Sequence, residues 1–321
     1  MRTRRVGLGV DIGGTFTKIV AATREGSVLG RARVPTRPSL GPRRFVGRLT
    51  EALGRFERGL CLRAEAVGVG AAGDVDSARG IIRFSPNMRS FDRYPLRDAL
   101  AAGLRRRVSL HNDADMAAWG GYSVELGRRK ANLAAFTMGT GIGGGLVLGG
   151  RLFLGSTGSA GEFGHMRIAR GGENCRCGAR GCLEAYAGRY AVVRAARRLL
   201  RESPRKKSLL RSLADRPGFD ASRVAEAAGR GDPMALEIWR SVGRAMASGI
   251  ANVVLAFNPD VVLVAGGVAR AAPLFLPETR RLLRKESFTT PVRHVRVLAA
   301  KTEDLGAVGA AVYPLEEAAR P

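Results

Sequence analysis

The segment VGLGVDIGGTFTK, residues 6–18, constrains the fold of this chain more than any other. Val6 to Val10 has the pattern of a strand, and it delivers a carboxylate, Asp11, to its end. Gly13 and Gly14 then let the backbone turn tightly, with no side chain to keep an anion away from the amides. Thr15 adds a hydroxyl donor and Lys18 a cation, while Asp11 stands where it can hold Mg²⁺ directly or through water. The expected chemistry is phosphate binding. A plain hairpin turn with incidental glycines is the alternative, and it leaves the carboxylate without a purpose.

Two further strands end in glycines. Leu133 to Met138 runs into GTGIGGG, residues 139–145, which contains G-x-G-x-x-G at Gly139, Gly141 and Gly144. A dinucleotide site needs a helix after that motif. Here Leu146 to Leu148 resumes a strand and Gly149-Gly150 turns it, so the Rossmann reading fails on context. No G-x-x-x-x-G-K-[ST] occurs either. What remains is a second phosphate loop, with Thr140 as donor to the transferred phosphoryl group. Val261 to Ala265 ends at Gly266-Gly267, a third close approach suited to an adenosine. Three such turns in this order resemble the actin/hexokinase ATPase superfamily. That resemblance implies an α/β fold of two lobes, each on an RNase H-type sheet, with a nucleotide cleft between the lobes.

Periodicity fills in the rest. Thr17 to Ala22, Val28 to Val34, Ala66 to Ala71 and Val108 to Leu110 read as strands. Pro42 to Arg58, Ala114 to Leu126 and Ala187 to Leu200 read as helices, the last with a strongly basic face. Asp232-Pro233 starts a long apolar-striped helix that Asn258-Pro259 stops. Residues 202–220 read as a surface connection. The expected lobes are 1–115, completed by a C-terminal helix 304–321, and 116–303.

Residues 159–186 read SAGEFGHMRIARGGENCRCGARGCLEAY. His165, Cys175, Cys177 and Cys182 offer one nitrogen and three thiolates, a set suited to tetrahedral Zn²⁺. With all four positions filled by protein, such a metal is structural. Gly178 and Gly181 allow the chain to wrap. Cys61, apart from these, is expected to be a small buried apolar residue.

Together, DIGGTFTK, AAGDVD, FSPNM, HNDAD, TMGTGIGGG, AGEFGH, CRCGARGCLE and VAGGVAR resemble the ROK family of bacterial sugar kinases and transcriptional repressors. The resemblance covers nearly the whole chain. It implies ATP-dependent phosphorylation of a hexose 6-hydroxyl, with Asp113 as the general base. Glucose is the leading substrate, and an N-acetylhexosamine or fructose is the alternative within the family. The sugar ligands it implies are Gly73, Asn87, Asn112, Asp113, Glu162, His165 and Glu184. Asn112 is at the same time a candidate N-cap for the helix behind it. Glu162 and His165, three apart, would share a helix face, with His165 giving one nitrogen to zinc and the other to the sugar. Family repressors carry a helix-turn-helix ahead of the first glycine turn. With that turn at Asp11, the expectation is a kinase rather than a repressor, a non-catalytic sugar-sensing regulator being the remaining alternative. One departure stands out: after Asn112-Asp113 the chain reads ADMAAWGGYSVELG, with Trp119 and Gly121 in unusual places for the family.

The net charge of +25 invites a nucleic-acid reading. The basic residues are scattered, however, and no recognised nucleic-acid motif or aromatic stripe accompanies them. No apolar stretch of about 18 residues is present, and Asp11 interrupts any leader-like core. A cytoplasmic protein without membrane or specific nucleic-acid partners is expected, with a homodimer as the family default.

Overall fold

The computed structural model describes residues 5–85, 88–129 and 131–317. Its first sheet has the order β3-β2-β1-β4-β7: β1 Val6–Ile12, β2 Phe16–Thr23, β3 Val28–Pro35, β4 Ala66–Ala71 and β7 Arg107–Asn112. A small hairpin, β5 Asp74–Asp76 and β6 Ile81–Phe84, lies between β4 and β7 in sequence. The second sheet has the order β10-β9-β8-β11-β12: β8 Leu133–Met138, β9 Ile142–Leu148, β10 Arg151–Leu152, β11 Val261–Ala265 and β12 Arg296–Ala299. By contacts the chain forms two compact units, one from 1–135, 145–161 and 301–321, the other from 136–144 and 162–300. The division thus falls inside β8 and β9, and 116–135 and 145–161 group with the first unit rather than with the lobe 116–303. The helix Asp113–Gly120 explains part of this, because it packs against the C-terminal helix Leu305–Glu317.

The alternation of β1 builds the first unit. Val6, Leu8, Val10 and Ile12 enter a core with Phe45, Leu49 and Leu53 of the helix Pro42–Gly59 and Leu96 and Leu100 of the helix Leu96–Leu104. On the opposite face Gly7 and Gly9 have no side chain, and the C-terminal helix lies directly on the sheet backbone. A Cβ at Gly9 would stand 1.8 Å from the carbonyl oxygen of Ala307, and one at Gly68 in β4 would stand 1.9 Å from that of Ala310. Strand β1 is antiparallel to β2 and parallel to β4, and β4 is parallel to β7. The register aligns Ile12 with Ala71 and Ala71 with Asn112. Asp11, the segment after Ala71, and Asn112-Asp113 therefore share one edge, at the carboxyl ends of the parallel strands. Ligands of open α/β sheets collect at that edge.

Several local expectations need correction. Ile142 to Gly145 belong to β9, so only Gly139–Gly141 form the turn after β8. The helix expected over 114–126 is α-helical only to Gly120 and continues as a π turn, Gly121–Glu125. Leu305 lies close by: a Cβ at Gly120 would stand 2.5 Å from the Leu305 carbonyl oxygen. The basic helix runs Arg189–Glu202, separated at Gly188 from a single turn, Glu184–Ala187. The segment 202–220 contains a helix, Leu209–Ala214, capped by Ser208 and tied to Asp232. Cys61 is exposed, with φ 51°, because the chain reverses just beyond a helix end. The long helix is Pro233–Phe257, and Asp232 caps it by accepting from Ala235 N at 2.9 Å.

Candidate functional site

In the first unit, the turn after β1 is closed by Gly13 N donating to Phe16 O, 3.1 Å, and fastened by Thr36 Oγ1 donating to Gly13 O, 2.7 Å. A Cβ at Gly13 would come within 2.9 Å of Phe16 O, which explains the glycine. Asp11 and Lys18 are cross-strand partners, and the Lys18 Nζ lies 3.7 Å from Asp11 Oδ2. Nζ is closer still to Asp304 Oδ1, at 3.0 Å, and Arg31 Nε lies 3.8 Å from Asp304 Oδ2. Burial raises the Asp11 carboxyl above its ordinary range; Lys18 pulls it down and Asp304 adds to the rise. Asp304, just ahead of the C-terminal helix, escaped the sequence reading because no local pattern ties it to Lys18.

Asn112 closes β7 and caps the next helix, its Oδ1 accepting from Ala114 N at 2.7 Å. Its Nδ2 donates to Gly73 O at 2.8 Å, so both ends of the amide are engaged inside the unit. Gly73 itself has φ 121°, and a Cβ there would stand 2.4 Å from Phe84 O. Asp113 is the first helical residue, half-buried, with Oδ1 accepting from Ala114 N at 3.0 Å. A Cβ placed on Gly306 would lie 3.5 Å from Asp113 O and 3.9 Å from Asp11 Cγ. The two aspartates are thus gathered at the start of the C-terminal helix. Asn87 lies outside the described residues.

In the second unit, Gly139 N donates to Gly141 O at 2.9 Å across the turn after β8. Thr140 is exposed, and its hydroxyl oxygen accepts from Arg189 Nη2 at 3.0 Å. Gly141 leaves room for Glu184, whose Oε2 accepts from Ile142 N at 2.8 Å. A Cβ on Gly141 would overlap that oxygen at 1.9 Å. Gly266 has φ 94° and packs on Met138, where a Cβ would stand 2.5 Å from the carbonyl oxygen.

His165 ends a single 3-10 turn, Phe163–His165, with Glu162 at its N-cap, so the two do not share an α-helical face. His165 Nε2 and Glu162 Oε2 are 4.0 Å apart. Nδ1 points the other way, 3.8 Å from Cys175 Sγ. One donor atom from each of His165, Cys175, Cys177 and Cys182 lies within 4.8 Å of the others. The Sγ atoms of Cys177 and Cys182 are 3.9 Å apart. Tetrahedral ligands at zinc–sulfur bonds of about 2.3 Å are separated by about 3.8 Å, so the donor set fits Zn²⁺. Gly181, φ 82°, makes the wrap possible, since a Cβ there would meet Ala169 O at 1.8 Å. Burial pushes the Cys175 thiol up and the Cys182 thiol up to about 12, which leaves ionisation to a cation brought among them. Tyr190 OH, which the sequence did not flag, donates to Cys175 Sγ at 3.8 Å. Glu184 Oε1 is also 3.8 Å from Cys175 Sγ, so this carboxylate spans from the cysteine cluster to the glycine turn.

Comparison with known proteins agrees with this arrangement. The model of the ROK family matches residues 7–317. The chain is 36% identical over 308 residues to a glucokinase of Thermotoga maritima, covering 95% of each chain. It is 30% identical over 265 residues to an N-acetylmannosamine kinase of Vibrio cholerae, covering 82% of this chain and 84% of that one. Its fold is similar to the crystal structure of a ROK family glucokinase from Streptomyces griseus in complex with glucose and AMPPNP. That similarity has a TM-score of 0.83 at 35% identity, over 95% of this chain and 98% of that one.

Proposed function

Because the chain belongs to the ROK family and has its two-lobed actin/hexokinase-like fold, we propose that it transfers the terminal phosphoryl group of ATP to the 6-hydroxyl of a hexose, glucose first. The observation that carries this reading is the strand register that gathers Asp11, Gly73 and Asn112-Asp113 at one sheet edge. The glucokinase relatives supply the acceptor and the bound ATP analogue supplies the donor class.

Phosphoryl transfer asks the protein for positioning, charge neutralisation and a base. The amides of Gly13 and Gly14, with Thr15 and Lys18, hold phosphate in the first unit, where Asp11 would hold the Mg²⁺ that accompanies ATP and supplies charge neutralisation. In the second unit Gly139, Thr140 and Gly141 hold the phosphoryl group in transit, and Gly266 and Gly267 admit the adenosine. Asp113 accepts the proton of the attacking hydroxyl, worth about 10²–10⁴-fold in rate. Glu162, His165 and Glu184 read the sugar hydroxyls. His165, Cys175, Cys177 and Cys182 would hold a structural zinc that fixes the wall carrying His165 and Glu184. Asn112, which also bonds Gly73 and caps the next helix, joins them on the sugar side.

No described helix is long and apolar enough to cross a membrane. Separately, family membership is the ground on which we propose a cytoplasmic homodimer. The N-acetylmannosamine kinase relative keeps a 2-substituted hexose as the second reading. A coupled assay of the purified protein with ATP, Mg²⁺ and a panel of hexoses decides between them. Glucose is expected to give the highest kcat/KM; turnover of no sugar in the panel would reject the kinase.

A further inference from the structure

The glycine turn of the second unit provides amide dipoles and one hydroxyl, and none of the residues assigned to it above carries a positive charge. Arg189 supplies one. Its Nη2 donates to Thr140 Oγ1 at 3.0 Å, and its backbone N–H donates to Gly139 O at 3.4 Å. The residue is therefore fastened to the turn at both ends, while its side chain stays exposed.

From this we infer that Arg189 is a further phosphate-binding residue, contacting the terminal phosphate of the nucleotide beside Thr140. The inference rests on the reading of this turn as a phosphate loop.

Two points of chemistry carry it. A hydroxyl has one hydrogen to donate and two lone pairs to accept with. Because the guanidinium occupies the acceptor side of Thr140 Oγ1, the hydroxyl hydrogen is left for an anionic oxygen. The guanidinium also has five N–H donors in a planar fork, and Thr140 uses one of them. Among the described residues no carboxylate lies within ion-pair distance of Arg189. Its charge reaches Asp220, but Asp220 Oδ1 caps the next helix, accepting from Ser222 N at 3.0 Å and Ser222 Oγ at 2.6 Å. Two neighbours further along the same basic helix differ. Arg194 and Arg198 are both paired with Glu173, at 3.3 and 2.7 Å. Arg189 thus combines a fixed position on the phosphate turn with a charge that no described carboxylate approaches to ion-pair distance, and the fork geometry of arginine suits phosphate oxygens. The competing role is a purely structural latch on Thr140.

Binding of AMPPNP, ADP and AMP to the whole protein, with Mg²⁺ and by calorimetry, separates the two roles. The variants are Arg189→Gln and Arg189→Lys, each checked for an unchanged melting temperature. Arg189→Gln is expected to weaken AMPPNP by about 10–100-fold, the range for one hydrogen bond to a charged group. AMP should change by less than about twofold, ADP should fall between, and Arg189→Lys should recover part of the loss because it keeps the charge. The wild-type preference for AMPPNP over AMP should also shrink more steeply with salt than that of Arg189→Gln. Equal losses for AMPPNP and AMP, or an Arg189→Lys no better than Arg189→Gln, would overturn the inference and leave the latch. If the wild-type protein itself binds none of the three, the nucleotide reading fails first and takes this one with it.

Discussion

Replacing Gly141 with alanine tests how the glycine turn is built. The new Cβ would stand 1.9 Å from Glu184 Oε2 and 2.7 Å from Cδ. Gly141 has no positive φ, so the backbone accepts alanine, and the carboxylate must give way by roughly 1.5 Å. That retreat breaks the 2.8 Å bond from Ile142 N and orphans a part-buried amide. A hydrogen bond to a charged group is worth about 1.5–3 kcal/mol, so Gly141→Ala should lose stability in that range. The assay is a chemical-denaturation series over a double-mutant cycle with Glu184→Ala. Glu184→Ala removes both the clash and the bond, so Gly141→Ala added to it should cost less than about 0.5 kcal/mol. An equal cost of Gly141→Ala in both backgrounds would refute this account of the turn.

Other substitutions and conditions test the remaining parts. Gly9→Ala sets a Cβ against the backbone of Ala307, which has no flexible end to move, so it should destabilise by at least about 3 kcal/mol in thermal or chemical denaturation. His111 is buried and burial lowers its pKa from 6.5 to about 4. Its contribution is intact above pH 6.5 and is lost as the pH falls towards 4, because the unfolded chain takes the proton first. Roughly 3 kcal/mol is at stake, and the acid limb of the stability curve should flatten in His111→Phe, which keeps a ring beside Tyr313. Elemental analysis should find about one zinc per chain, and a chelator should lower the melting temperature, more readily as the pH falls and the thiolates protonate. Metal-free protein of unchanged stability would remove zinc from the account.

What was legible in the sequence was what short range determines. The strands β4, β8 and β11 could be bounded to the residue: each is a short, mostly apolar segment with glycine within two residues of its end, and β11 is apolar throughout. Asp232-Pro233 and Asn258-Pro259 likewise delimit the long helix. The cysteine cluster was legible because its ligands sit within one wrapped loop. What failed was not carried by local composition or by a motif. Ile142 to Gly145 looked like loop by composition, but β9 pairs beside β8 and tolerates glycines in a packed strand. The π turn at Gly121–Glu125 follows a glycine, Gly120, on which the backbone of Leu305, far away in the chain, packs closely. Asp304, Arg189 and Tyr190 carry no motif; only the fold brings them to Lys18, Thr140 and Cys175. Asn112 was read both as a sugar ligand and as a cap; the structure shows the cap, and the sugar contact stays a proposal beside it.

The most direct test of the central claim follows the products of the reaction by ³¹P NMR, with protein, glucose, ATP and Mg²⁺. The account predicts glucose 6-phosphate and ADP in equal amounts, with Asp113→Asn slower by at least about 10²-fold. ATP hydrolysis without sugar phosphate, phosphate on another hydroxyl, or an Asp113→Asn rate near that of the wild type would contradict it.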